Sequence, residues 1–108
     1  FIGHNGLMEF SIDQAVPEVP RTSKKDAIVL SCKSQPYFSD MLTKAGARPV
    51  LLTDQFMYPG SFLLKAALDG WIKGESPTQI RERAARAYAA NQKIGVSAAR
   101  GVFTKPGD

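Results

Sequence analysis

The chain has 108 residues, 44% of them apolar, and a net charge of +4 from 14 basic and 10 acidic side chains. That length bounds it to a single domain, 1–108, able to bury a core unaided; the lone cysteine and lone histidine exclude a disulfide framework and any multi-cysteine or His-rich metal site. No metal or cofactor is therefore expected.

Phe1-Ile2 reads as the end of a strand, so the chain is expected to be a piece of a longer protein, with strands missing upstream and further domains elsewhere in that longer chain. Gly3-His4-Asn5-Gly6 follows as a turn, Asn-Gly being a strong turn dipeptide. Met8, Phe10 and Ile12 alternate with polar residues, the period of a half-exposed strand. Val16–Lys25 carries Pro17 and Pro20 and reads as a loop.

Asp26–Ser31 is predicted as a strand buried on both faces, because Ala27–Leu30 is continuously apolar. Cys32 stands at its tip. A helix is predicted over Pro36–Ala45, with Pro36 at its first position, Phe38, Met41, Leu42 and Ala45 on one stripe, and Gly46 as the left-handed stop. Ala47–Thr53 is the next strand. Strand, helix and strand at this spacing predict a parallel β-α-β crossover. Beyond the loop Asp54–Tyr58, a helix from Pro59 to Lys73 is predicted to bury Phe62, Leu63, Ala66, Ala67, Gly70 and Trp71. Ser76-Pro77-Thr78-Gln79 is a capping-box pattern, and its helix carries Ile80, Ala84, Ala87 and Tyr88 on one stripe and a Glu82–Arg86 pair. Val102-Phe103 reads as a short edge strand. The predicted fold class is α/β, a mostly parallel sheet flanked by helices in three layers.

The chemistry sits at two strand ends. In a parallel sheet both His4 and Cys32 would lie at the carboxyl edge, where open α/β folds place ligands. An imidazole beside a thiol activates the nucleophile and protonates the leaving amine. A helix end after Cys32 would add N–H groups and partial positive charge that favour a thiolate. The opposing reading is that Cys32 is a packed core thiol, as free cysteines usually are.

Phe1-Ile2-Gly3-His4-Asn5-Gly6 and Ile28-Val29-Leu30-Ser31-Cys32-Lys33-Ser34 resemble the strand–His-Gly and strand–Cys blocks of the caspase-like cysteine peptidases, a superfamily of caspases, gingipains, legumains, separases and CHAT-type domains. Ala45–Thr53 is similar to the Gly-Ala-Arg-led strand of CHAT-type domains. The resemblance spans most of 1–91 and implies the second half of a caspase-like fold. It implies a cysteine endopeptidase acting through a thioester on a protein or peptide substrate, with His4 as acid/base and Cys32 as nucleophile. It further implies an oxyanion hole from the main chain of Asn5, Gly6 and Cys32, and a substrate pocket lined by Asp54, Gln55 and Phe56. The family has glycine directly after the histidine; here Asn5 precedes Gly6, and asparagine tolerates left-handed angles.

Two other readings remain. A catalytically inactive interaction module would present Phe56, Met57 and Tyr58 to a protein partner, whereas an ordinary loop would bury two of the three under the next helix. A ligand-binding half-domain lacks a Gly-rich phosphate loop. The basic residues are dispersed, with no aromatic interleaving, so nucleic acid is not an expected partner. No apolar run approaches spanning length, so no membrane association is expected and a cytoplasmic location is.

Overall fold

The computed structural model describes residues 1–3 and 25–107. The predicted strand around Met8–Ile12 and most of the proline-bearing loop lie outside the described residues. Strand β1 (Lys25–Ile28) and strand β2 (Ala47–Leu51) run parallel, with Lys25 opposite Ala47 and Ala27 opposite Pro49. Helix α1 (Ser34–Lys44) forms the crossover between them. The register shifts at Ala27/Ile28. That shift falls beside Pro49, which has no N–H to donate to a ladder.

Regular pairing in β1 ends earlier than Ser31, but the chain stays in register with its neighbours beyond it. Val29 N–H donates to the Leu51 carbonyl at 3.0 Å, and Leu30 forms a parallel bridge with Ile2. On the other side of β2, Thr53 forms an antiparallel bridge with Phe103. The predicted edge strand at Val102-Phe103 is thus present as a single bridge, with Thr104 N–H to the Leu52 carbonyl at 2.9 Å.

Helix α1 starts two residues before its predicted start. Its N-cap is Lys33, in a left-handed conformation at φ 50°. Pro36 is consequently the third helical residue rather than the first. The helix stops as expected, at Gly46 with φ 69°. Helices α2 (Ser61–Ile72), α3 (Pro77–Gln92) and α4 (Val96–Arg100) follow. Ser76 and Gln79 close the expected capping box in both directions, which explains the sharp start of α3. The single-turn helix α4 had no signal in the sequence.

The apolar residues fall into two clusters. Val29, Phe38, Leu42 and Leu52 pack under α1. Leu30, Val50 and Leu51 pack with Met57, α2, α3, α4 and Phe103. Val29 and Leu30 are neighbours yet enter different clusters, because successive side chains of an extended strand point to opposite faces. This is the physical content of the continuous apolar run. Two helical expectations are corrected. Pro59 lies outside α2, whose N-cap is Gly60. Trp71 is 47% exposed rather than buried, and its indole N–H donates to Asp26 Oδ2 at 2.8 Å. Indole carries a polar edge that favours such a half-wet position.

Candidate functional site

Cys32 occupies the tight turn between the end of the β1 segment and α1, and is half-buried. The turn is closed by side chains and main chain from the far end of β2. Ser34 N–H donates to Thr53 Oγ1 at 3.0 Å, and Thr53 N–H donates to Ser34 Oγ at 2.9 Å. Ser34 Oγ in turn donates to the Val29 carbonyl at 2.9 Å, and Thr53 Oγ1 donates to the Ser31 carbonyl. Each hydroxyl has one proton, and both protons are committed to carbonyls. The 3.2 Å approach of the two hydroxyl oxygens is therefore a contact without a proton to share.

The start of α1 is fully occupied. Lys33 N–H donates to the Gln55 carbonyl at 3.0 Å and Gln35 N–H to the Thr53 carbonyl at 2.9 Å. Ser34 N–H is taken by Thr53 Oγ1, and Pro36 has no N–H. These four positions are the ones a helix leaves open at its N-terminus. The expected N–H groups aimed at the sulfur are thus spent on the loop after β2.

The sulfur has a different partner. Met57 N–H donates to Cys32 Sγ at 3.4 Å, and Cys32 Sγ donates to the Met57 carbonyl at the same distance. Met57 is buried, whereas Phe56 is 73% and Tyr58 57% exposed. The Lys33 ammonium stands 4.5 Å from the centre of the Phe56 ring, a cation–π contact. Tyr58 N–H donates to the Tyr88 hydroxyl at 3.0 Å, and the Tyr58 ring stacks on Phe62 with centroids 6.2 Å apart.

The structure brings together Cys32, Gln55 and Phe56 of the residues singled out from sequence. Asp54 is turned to the C-terminal segment: its N–H donates to the Val102 carbonyl at 2.9 Å and Thr104 Oγ1 donates to its Oδ1 at 2.7 Å. His4, Asn5 and Gly6 lie outside the described residues. The three residues before them are described, however. Leu30 N–H donates to the Phe1 carbonyl at 2.8 Å and Gly3 N–H to the Leu30 carbonyl at 3.1 Å. The Met57 main chain, Lys33 and Tyr88 join the site only in the tertiary structure. No sequence signal marks them, since a main-chain partner can be any residue type.

No protein-family model, curated protein or solved structure matches the chain. Among the described residues no three His, Cys, Asp or Glu gather as a metal site, and no helix is long and apolar enough to cross a membrane. A groove of about 420 Å³ lies along β2 and the C-terminal segment, between Val50, Leu52 and Pro106, and Cys32 does not line it.

Proposed function

We propose that the chain carries the nucleophile and the acid/base of a caspase-like cysteine peptidase. In this reading Cys32 attacks the peptide carbonyl, the main-chain N–H groups of Asn5, Gly6 and Cys32 receive the oxyanion, and His4 protonates the departing amine. Water, deprotonated by the same imidazole, then hydrolyses the thioester. Gln55 and Phe56 border the substrate.

The observation that supports this reading is the parallel pairing of Ile2 with Leu30. His4 follows Ile2 by two positions and Cys32 follows Leu30 by two positions. A parallel bridge two positions before each candidate is compatible with a dyad at one sheet edge. The test is hydrolysis of fluorogenic peptides that vary the residue before the bond. Cys32→Ala and His4→Ala are each expected to reduce turnover at least about a thousandfold while far-UV circular dichroism is unchanged. Equal turnover by Cys32→Ala overturns the reading.

The exposure of both Phe56 and Tyr58 favours a second reading, an inactive module that presents this aromatic pair to a protein partner. A folded chain that cleaves none of the peptides, yet loses a partner on Phe56→Ser, decides for it.

A further inference from the structure

We propose that the segment 55–58 is a strap that closes over Cys32 and must withdraw before the thiol can react. The inference rests on the reading of Cys32 as a nucleophile, but the strap itself is a matter of geometry. Met57 engages the sulfur in both directions, its N–H donating to Sγ and its carbonyl accepting from it, each at 3.4 Å. A thiol has one proton, and among the described residues its acceptor is the Met57 carbonyl. Attack on a substrate carbon requires an open approach to the sulfur, and the Met57 peptide occupies one side of it.

The strap is held by a few separable contacts. At its start, Lys33 N–H donates to the Gln55 carbonyl at 3.0 Å. In its middle, the Lys33 ammonium lies 4.5 Å from the Phe56 ring centre, and the Met57 side chain is buried in the larger apolar cluster. At its end, Tyr58 N–H donates to the Tyr88 hydroxyl at 3.0 Å. None of these is a ladder of regular structure, so withdrawal breaks no strand pairing and draws only the Met57 side chain out of the apolar cluster. The rings of Phe56 and Tyr58 stand in solvent at the same point. A peptide that covers these rings favours withdrawal only by contacting them more fully in the withdrawn state than in the closed one.

The experiment compares the alkylation rate of Cys32 by iodoacetamide in the native chain and in the Phe56→Ala/Tyr88→Phe double variant. Each rate is divided by the rate of the same protein in denaturant, which isolates access from intrinsic reactivity. Tyr88→Phe keeps the buried ring and removes only the hydroxyl that holds Tyr58. The ratio is expected to rise about tenfold, the shift that losing these two holds together allows; an unchanged ratio overturns the strap. A second measurement needs no substitution. After Cys32 is carbamidomethylated, the Met57 and Tyr58 amides are expected to exchange with solvent at least about tenfold faster, with the Ile80 amide unaffected. Equal protection before and after overturns the strap even where the double variant fails to fold. Neither measurement involves turnover. A strap that opens in a chain without peptidase activity refutes only the peptidase, and turnover with an unchanged ratio refutes only the strap.

Discussion

Thr53 and Ser34 hold each other by exchanging main-chain N–H donors for side-chain oxygens, Ser34 N–H to Thr53 Oγ1 at 3.0 Å and Thr53 N–H to Ser34 Oγ at 2.9 Å. Both residues are fully buried. The exchange joins the end of the second strand to the first turn of α1, the turn that carries Cys32. Thr53→Val keeps the shape but leaves the Ser34 N–H without its acceptor and removes the donor to the Ser31 carbonyl. The expected loss is about 2–3 kcal/mol in urea unfolding, with Thr53→Ser recovering most of it.

Ser31, one residue before the thiol, gives the opposite expectation. Its hydroxyl is fully buried and has no hydrogen-bond partner among the described residues. Ser31→Ala removes a desolvated polar group that returns nothing, so stability should stay level or rise by up to about 1 kcal/mol. A loss of more than about 1 kcal/mol in the same titration would show that the hydroxyl finds a partner in solution.

Acid should weaken the fold through its paired carboxylates. Bidentate hydrogen bonds from Arg100 at 2.6 and 2.7 Å, aided by Arg86 at 3.0 Å, hold Glu82 down at about 2 from its ordinary 4.5, against a smaller opposing push from burial. Asp26 is lowered by Arg48 and then by the Trp71 indole, and Glu75 by Arg83. A folded-state pKa below the unfolded one adds stability that is present above the unfolded value and lost as pH falls through the folded one. The thermal midpoint should therefore begin to fall below about pH 4.5 and continue falling towards about 2. Glu82→Gln should flatten that slope; an unchanged slope removes Glu82 as its cause.

Gly70 is required for the approach of α2 to α3. A Cβ built there would lie 2.9 Å from Arg83 Cδ and 3.1 Å from Ile80 Cγ1. Arg83 cannot swing away freely, because its guanidinium is bound to Glu75 with Nη2 2.7 Å from Oε2, and Ile80 is buried. Alanine gains about 1 kcal/mol of helix propensity at this position but meets an overpacking cost of about 1–3 kcal/mol. The net expectation is a loss of about 1 kcal/mol, read as a drop of roughly 4–8 °C in the thermal midpoint. A rise in that midpoint would show that the helices can separate without cost.

What the sequence by itself determined is the local frame: a strand, helix and strand in order, the stop at Gly46, the capping box at Ser76 and Gln79, and the Glu82–Arg86 pair. Each follows from residues within one or two turns of one another, where periodicity, φ preference and capping chemistry act directly. The flush apolar run at Ala27–Leu30 likewise signalled a strand covered on both faces, as the two clusters under Val29 and Leu30 bear out. Tertiary structure alone decided which groups surround Cys32. It took the N–H groups at the start of α1 for Thr53 and Gln55, set the Met57 peptide against the sulfur, and turned Trp71 outward to Asp26. Those partners are separated by about 20 to 45 positions in the chain, and several are main-chain groups. Every residue except proline carries the same main-chain donor and acceptor, so side-chain identity left no trace of them.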